Sequence, residues 1–332
     1  MEIYQIALIG AAVAVVLIVI ATFSTAMMIH RIIFGGRQDK NPIFKYFTAE
    51  DFSVDREVFP VRCGKIELNS HIYRVQPLEK CDKVVIFAHG FGAGAASYTT
   101  EIAHLARAGY AVVATDAYGC NGSVGKQVKG FYAGTQAVIA TFDAVKADAR
   151  LCGKKVLLVG HSWGAYSVLT AAERVAVDGV VAMSSFDRPA QTVCDNLVKL
   201  RGMRLYAKIV HAHLWFINLF KFGARGNRSA ARAAEKCKAP VLLIHGEKDG
   251  VVPLKHSAAA KAKGGNIEKL ILSDKRHNPY NTPAAEDMLS LLNNFEVAGD
   301  AAEEFFATFD WSAATEEDEK VMAKIDSFIS AV

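Results

Sequence analysis

The sequence has few features of a metal-binding, disulfide-stabilised or nucleic-acid-binding protein. Its six cysteines are scattered over 332 residues and form no Cys-x-x-Cys pair, a distribution that favours free thiols over a disulfide framework. There is no His-Glu-x-x-His, and we therefore predict no metal site. The net charge of +4 is too small to indicate a nucleic-acid partner, and no internal repeat or low-complexity segment is found.

Charged side chains are also missing from a long run near the N-terminus. The run from Ile6 to Ile29 has 24 residues, more than the roughly 20 apolar residues that cross a bilayer. A cleaved signal peptide has a basic start and an apolar stretch of about 7–15 residues, whereas this chain starts Met-Glu-Ile-Tyr-Gln. We therefore predict that residues 1–30 are a retained transmembrane anchor, and not a signal peptide or a buried core helix.

The charges that flank this run predict its orientation. Four basic residues follow it, and Glu2 precedes it; the basic residues are Arg31, Arg37, Lys40 and Lys45. Because positive flanks stay in the cytoplasm, we expect a single-pass membrane protein whose N-terminus lies outside and whose main domain is cytoplasmic. Digestion of that domain by a protease added to intact cells would contradict this orientation.

Short apolar runs alternate with helical patterns after a polar linker at 31–51. A hairpin is predicted over 57–74. The predicted strands are 83–88, 110–115, 155–159, 179–183, 241–244 and 269–272, and the predicted helices are 98–108, 131–151, 165–175 and 254–263. This alternation indicates an α/β domain, 52–332, with a mostly parallel sheet covered by helices on both faces. It is interrupted by a predicted cap insertion, 186–239, and ends in an acidic, helical C-terminal extension, 300–332.

One motif in this pattern carries chemistry. Gly160-His-Ser-Trp-Gly164 fits Gly-x-Ser-x-Gly, in which the serine occupies a tight turn between a strand and a helix. The apolar run 155–159 precedes it and a good helical pattern follows it, which strengthens a motif that is weak alone. The alternative is a plain glycine-rich turn.

With Asp249 and His277 following later strands, the chain resembles the α/β-hydrolase superfamily over about residues 57–295. The resemblance implies that Ser162 is the nucleophile, that His277 is the general base and then the acid, and that Asp249 orients the imidazole. Asp187, which follows the strand at 179–183, is the alternative acid. His104 and His161 are expected to be packing or surface residues, His245 a structural residue at the end of a strand, and Glu247 an ordinary turn residue.

The segment His89-Gly90-Phe91-Gly92 resembles the family's oxyanion loop. The resemblance implies that the N–H groups of Phe91 and Trp163 stabilise the negative oxygen of the intermediate, with His89, Gly90 and Gly92 as binding positions. No cofactor is expected for such chemistry. The alternative is a structural glycine turn.

The same glycines also fit a dinucleotide pattern. The segment Gly90-Phe-Gly-Ala-Gly-Ala95 follows a strand, and Asp116 ends the next strand, as a ribose-binding acid would. If the chain were an NAD-dependent oxidoreductase, the positions of Ser162, Asp249 and His277 after separate strands would be coincidences. A second alternative, a non-catalytic binding module, would be favoured by a missing catalytic residue, and none is missing.

The predicted cap is strongly basic. Between Lys199 and Lys238 lie ten Lys or Arg residues and one acid, Glu235, around an apolar helical pattern at 210–222. We expect this region to contact an anionic membrane surface and to admit an acyl chain. Plain packing over the sheet, an acidic substrate, and pairing with the protein's own acidic C-terminal helix are the alternatives.

Together these features predict a membrane-anchored serine esterase or lipase acting on a small-molecule or lipid ester. The same fold also supports peptidases, amidases and thioesterases, and the sequence does not separate these reactions.

Overall fold

The structure is a computed structural model, and it describes residues 2–41, 44–92, 94–201, 204–293 and 300–332. Pro42 of the predicted linker lies outside the described residues. The side chains at 197–204 and 293–303 also lie outside the description, and they include three of the ten basic residues counted above: Lys199, Arg201 and Arg204.

The described residues form one eight-stranded sheet at the centre of the molecule. Its strands are β1 (Asp55–Val58), β4 (Ser70–Arg74), β5 (Lys83–Ala88), β6 (Ala111–Thr115), β7 (Lys155–His161), β8 (Gly179–Met183), β9 (Val241–Gly246) and β10 (Ile267–Leu272). Their order is β1-β4-β6-β5-β7-β8-β9-β10. The first two pairings are antiparallel and the six strands from β6 to β10 run parallel, which confirms the predicted mostly parallel sheet.

The predicted hairpin at 57–74 is wrong in its extent. A small separate hairpin pairs β2 (Val61–Cys63) with β3 (Ile66–Leu68), while β1 and β4 on either side of it pair with each other in the main sheet. Gly64 at the tip has a φ of 62°, the left-handed conformation that a tight turn requires. The segment predicted as one hairpin therefore contains two nested pairs of strands, β2 with β3 and, outside them, β1 with β4.

Helices cover both faces of the sheet. On one face lie α3 (Tyr132–Ala147) and α4 (Trp163–Ala172), whose side chains form one core cluster with Ile86, Leu158 and Leu243. On the other face lie α2 (Thr99–Arg107) and the last helix, α11 (Glu319–Ala331), which pack against alternate strand residues such as Val85 and Leu157. Successive residues of one strand thus pack against helices on opposite faces of the sheet. Because α11 is one of these helices, it belongs to the core of the domain.

Three helices occupy the segment predicted as a cap, between β8 and β9. They are α5 (Pro189–Arg201), α6 (Arg204–Phe222) and α7 (Ala230–Lys236). The short α7 packs on α4, whereas α5 and α6 form a separate apolar cluster that contains Val193, Val210 and Leu214. The predicted helix at 254–263 is wrong in its start and its length. The Ser257 side chain caps a shorter helix that begins at the next residue, α8 (Ala258–Lys261).

The N-terminal helix α1 (Ile3–Phe34) is the one helix of the described residues long and apolar enough to cross a membrane. Its first part is exposed, but Thr22, Ala26, His30 and Phe34, spaced by four residues, are buried. Thr22, Ala26 and His30 lie against α6, where the Thr22 hydroxyl is 3.0 Å from His213 Nε2, and Phe34 packs in the core cluster that contains α3 and α4. The C-terminal part of α1 is therefore a docked element of the domain.

The remaining segment before α11 contains α9 (Pro283–Asn293) and α10 (Asp300–Thr308). An aromatic cluster forms here, and it includes Phe306 and Trp311 together with Phe44 from the linker. The acidic segment that follows pairs with the body of the domain, since Glu317 contacts His104 and Asp318 contacts the buried Lys275 at 2.6 Å. These two carboxylates therefore pair with the body of the domain and not with the basic cap.

A titratable cluster joins α2 to α11. The His104 ring lies 2.9 Å from the Asp326 carboxylate and 3.1 Å from that of Glu317. The hydrogen bond to Asp326, and then the one to Glu317, raise the pKa of His104 to about 9. Burial raises the pKa of neighbouring Glu101 to about 8, with the Glu317 charge as a second cause. Both groups bind protons more tightly in the folded chain than in the unfolded chain.

This cluster predicts that alkaline pH destabilises the domain. The His104 contribution is fully present below its unfolded pKa, about 6.5, and is lost as the pH rises through 9. We expect the free energy of unfolding to fall by about 2–3 kcal/mol over this interval. Thermal unfolding of the detergent-solubilised chain across this pH range measures the effect, with His104→Gln as the control variant. A slope that His104→Gln leaves unchanged would contradict the assignment.

Candidate active site

Ser162 lies at the turn between β7 and α4, at the carboxyl edge of the sheet. Its backbone has φ 54° and ψ −113°, a conformation that costs a non-glycine residue about 1–3 kcal/mol. Two backbone hydrogen bonds hold it there: the Ser162 N–H donates to the Met183 carbonyl at 2.8 Å, and the Ser162 carbonyl accepts from the Tyr166 N–H at 3.0 Å. The turn points the hydroxyl out of the strand–helix junction, where the side chain is partly exposed.

The two glycines of the motif permit this turn. A Cβ atom on Gly164 would overlap the carbonyl oxygen of Ala88 at the end of β5. A Cβ atom on Gly160 would lie 2.6 Å from the Gly164 carbonyl group, far inside contact distance. The absence of both side chains therefore lets the start of α4 approach the ends of two strands, which explains the spacing of the motif.

His277 contacts both of the other predicted catalytic residues. Its Nε2 atom lies 3.0 Å from Ser162 Oγ, and its Nδ1 atom lies 2.9 Å from Asp249 Oδ2. An ionised carboxylate only accepts, so the ring donates from Nδ1 to Asp249, and Nε2 is free to accept the serine proton. The structure thus brings Ser162, His277 and Asp249 into one hydrogen-bonded series, in the geometry that activates a hydroxyl.

Asp249 is held as an ionised acceptor. Its second oxygen, Oδ1, accepts hydrogen bonds from the Val251 and Val252 N–H groups, each at 2.8 Å. Burial alone would raise the pKa of Asp249, but the hydrogen bond and charge of His277, with the Val252 N–H, lower it. The carboxylate therefore stays charged beside the imidazole, where it stabilises an imidazolium.

His245 lies beside Asp249 but has a structural role. Its Nε2 atom is 3.5 Å from the Asp249 carboxylate and donates to the Val252 carbonyl at 3.0 Å. Burial lowers the pKa of His245, so the ring is neutral, and its Nδ1 atom has no partner within the described residues. It fixes the loop that carries the acid, in line with its prediction as a structural residue.

The alternative acid, Asp187, is committed elsewhere. Its Oδ1 atom accepts from the Ser229 hydroxyl at 2.5 Å and from the Ala231 N–H at 3.1 Å, which anchors the start of α7. Its Oδ2 atom pairs with Lys261 at 3.2 Å. The hydrogen bond to His277 is made by Asp249, so the geometry favours Asp249 of the two candidates.

The predicted oxyanion loop follows β5 directly. His89 is buried; its Nδ1 donates to the Gly90 carbonyl at 2.6 Å, and its Nε2 accepts from the Ala117 N–H at 2.9 Å. Both ring nitrogens of His89 are therefore bound within the chain, and they hold the loop in shape. The N–H groups of Phe91 and Trp163 take part in no hydrogen bond within the described part of the chain, so both remain available as donors.

His161 and Tyr98 connect this loop to the histidine, a link that the sequence did not reveal. The Gly90 N–H donates to the Tyr98 hydroxyl at 3.0 Å, and that hydroxyl lies 2.9 Å from His161 Nδ1. His161 Nε2 then donates to the carbonyl of His277 at 2.8 Å. Burial, and then the charge of His277, lower the pKa of His161 to about 3, so it acts as a neutral bridge. The sequence could have indicated this network, because His161 ends a buried strand and a buried polar group needs a hydrogen-bond partner.

The hydrogen bonds of Asp116 account for the glycine at position 94 in the pattern that suggested a dinucleotide site. Four donors saturate its buried carboxylate at 2.7–3.1 Å: the Asn69 and Asn121 side chains and the Ala95 and Gly122 N–H groups. A Cβ atom on Gly94, whose φ is 71°, would overlap this carboxylate. Gly94 thus fits against Asp116, whose carboxylate is already occupied by donors from this chain. Within the described residues, no group of three His, Cys, Asp or Glu side chains is placed to hold a metal ion.

Comparison with known proteins identifies the family and the fold. The sequence model of the alpha/beta hydrolase family matches residues 85–286, which contain the loop, the serine, the acid and the histidine. An esterase of Pyrococcus furiosus is similar in structure, with a TM-score of 0.58 and 18% identity over 78% of this chain and 96% of the esterase. An acylaminoacyl peptidase of Pyrococcus horikoshii has a TM-score of 0.50 and 16% identity over 76% of this chain and 44% of the peptidase. The sequence has no match among the curated proteins compared.

Proposed function

The chain belongs to the alpha/beta hydrolase family, and we propose that it is a membrane-anchored serine hydrolase that cleaves a carboxylic ester through an acyl-serine intermediate. One observation carries the proposal: His277 lies within hydrogen-bonding distance of Ser162 on one side and of Asp249 on the other. A serine hydroxyl becomes an effective nucleophile only when a neighbouring base takes its proton, and this series supplies that base in the required tautomer.

In the first half of the reaction, Ser162 Oγ attacks the carbonyl carbon of the ester. The hydroxyl proton passes to His277 Nε2, and the carbonyl electron pair moves to oxygen. The N–H groups of Phe91 and Trp163 donate to this negative oxygen, an effect that contributes about 3–4 kcal/mol per donor in such sites. The intermediate collapses, the alcohol leaves with the proton of the imidazolium, and the acyl group remains on Ser162.

In the second half, water repeats the attack on the acyl-serine. His277 Nε2 takes a proton from the water, and the oxygen of the intermediate again accepts from the Phe91 and Trp163 N–H groups. Collapse releases the carboxylic acid and returns the proton to Ser162 Oγ. Asp249 stays ionised throughout and stabilises the imidazolium that forms in each half.

The docked end of α1 supports a retained anchor. The buried residues Thr22, Ala26, His30 and Phe34 bind the helix to the domain, and such contacts would be lost if the segment were removed as a signal peptide. The basic residues after the apolar run, and the free thiols of all six cysteines, support a cytoplasmic domain.

The outer face of α6 supports contact with the membrane surface. Trp215 and Phe216 are partly exposed and Phe220 is 88% exposed, next to the basic side chains Lys221 and Arg225. Aromatic side chains flanked by basic residues suit the boundary between lipid and water. We propose that this face meets the headgroups of the bilayer that α1 crosses, which places the active site within reach of lipid esters.

The reaction class is tested by comparing esters with amides. We expect the wild-type chain in detergent to react with a fluorophosphonate probe and to hydrolyse p-nitrophenyl esters with a higher kcat/KM than aminoacyl p-nitroanilides. Both substrates release a nitroaromatic product, so absorbance follows the two reactions in the same way. Faster turnover of the amides would assign a peptidase or amidase function, and no reaction with the probe would remove the serine hydrolase proposal.

A further inference from the structure

A cavity of about 490 Å³ adjoins the active site on the side of the oxyanion loop. Phe91 and Gly92 of that loop form part of its wall, and so does Asn278, the residue after His277. The cavity therefore touches the segments that carry a proposed oxyanion donor and the proposed base. Its volume lies within the range of about 300–1,000 Å³ that small-molecule sites occupy.

Large apolar side chains form the far walls of the cavity. Phe44 and Phe47 come from the linker after α1, Leu289 and Leu292 from α9, and Trp311 from the segment after α10. Aromatic and aliphatic walls with a polar catalytic end are the composition of a site for an amphiphilic ligand. The predicted cap, 186–239, contributes no residue to the described lining, so this cavity is distinct from the acyl site expected in the cap.

The linker and the C-terminal segment, which form two of the far walls, contact each other. The Phe44 ring lies 5.7 Å from the Phe306 ring and 5.7 Å from the Trp311 ring, distances typical of aromatic packing. The start of the linker is fixed as well, because the Arg37 guanidinium donates to the Ser123 carbonyl at 3.0 Å. The cavity is thus lined by segments that hold their positions through specific contacts.

These far walls lie outside the match to the family, which covers residues 85–286. The residues that perform the proposed chemistry lie inside that match, whereas the linker and the segment from Leu289 to Trp311 lie outside it. The chemistry and the shape of the cavity are therefore supplied by different parts of the sequence. The end of α1 also reaches the cavity wall, since the Phe34 ring packs edge-on against Phe91 at 6.0 Å.

We propose that this cavity binds the apolar chain of the ester substrate and so selects esters by chain length. The inference rests on the proposed function, because it assigns a part of the substrate to a site beside Ser162. Binding a longer chain removes more apolar surface from water, and the walls gain contacts with each added methylene until the cavity is full. Esters with a medium-length chain should therefore be preferred over acetate.

Filling the cavity from α9 tests the inference. Leu289 lines the cavity, whereas Leu291 on the same helix is 59% exposed and outside the lining. We expect Leu289→Trp to lower the ratio of kcat/KM for p-nitrophenyl octanoate to that for p-nitrophenyl acetate by about tenfold or more. Leu291→Trp adds the same side chain to the same helix and should leave this ratio at the wild-type value.

A second variant reaches the cavity from the opposite wall. Ala96 lines the cavity from the turn before α2, so Ala96→Phe should lower the same ratio even if Leu289→Trp does not fold. Acetate esters of alcohols of graded length form a second substrate series. A loss confined to the p-nitrophenyl series places the acyl chain in the cavity, and a loss confined to the second series places the alcohol chain there; either result supports the proposal.

The outcomes distinguish this inference from the proposed function. If the wild-type chain neither reacts with a fluorophosphonate nor hydrolyses p-nitrophenyl acetate, the proposed function fails. If the wild-type chain is active and the folded Leu289→Trp or Ala96→Phe variant keeps the wild-type dependence on chain length in both substrate series, the cavity does not bind the chain and this inference alone is overturned.

Discussion

Ser162→Ala should lower kcat for p-nitrophenyl acetate by about 10⁵–10⁶-fold and abolish labelling by a fluorophosphonate. The substitution removes the oxygen that attacks the carbonyl carbon, and no other hydroxyl is recorded in contact with His277 Nε2 within the described residues. The remaining rate would come from the Phe91 and Trp163 N–H donors and from substrate binding alone. Single-turnover kinetics and probe labelling of the purified chain measure the two effects.

Ser184 provides a matched control for this experiment. It follows β8 as Ser162 follows β7, and it has the same φ of 54°. Its hydroxyl is buried and has no hydrogen-bond partner within the described residues. Ser184→Ala should therefore keep wild-type labelling and kcat, because it changes a similar backbone environment without touching the base. Probe labelling that persists in Ser162→Ala would place the nucleophile on another residue and contradict the proposed mechanism.

The strands of the core and the order of the site residues were predictable from sequence for one physical reason. Parallel strands buried on both faces appear as short continuous apolar runs, which is why the predicted bounds 83–88 and 179–183 match β5 and β8. The carboxyl ends of such strands meet at one edge of the sheet. The resemblance to the hydrolase superfamily implied that Ser162, Asp249 and His277, each of which follows a separate run, meet at this edge, and the structure brings them together.

Contacts between irregular segments were not predictable in this way. The network of Tyr98 and His161 depends on side chains that meet across a turn, and no periodicity marks such a meeting. The docked face of α1 is similar: Thr22, Ala26 and His30 sit in an apolar run and differ from their neighbours only in what they contact. The cavity walls likewise come from the linker and from a segment nearly 250 residues later, whose proximity only the folded chain establishes.

The choice between Asp249 and Asp187 leads to the second large effect. Asp249→Asn should lower kcat by about 10⁴-fold while leaving the fold intact. The asparagine oxygen is held by the Val251 and Val252 N–H groups that now bind Oδ1, and this turns the amide NH₂ toward His277 Nδ1. The ring must then accept at Nδ1 and carry its proton on Nε2. In that tautomer, Nε2 cannot accept the proton of Ser162.

Asp187→Asn should have the opposite profile. Its carboxylate anchors the start of α7 through Ser229 and pairs with Lys261, so its loss lowers stability through those contacts and leaves the His277 tautomer unchanged. Normalising kcat to the fraction of chain that is folded, measured by circular dichroism, separates the two effects, since unfolded protein is not counted. A normalised kcat that falls in Asp187→Asn and stays at the wild-type value in Asp249→Asn would transfer the orienting role to Asp187, because only the carboxylate that fixes the imidazole tautomer can change the rate per folded site so strongly.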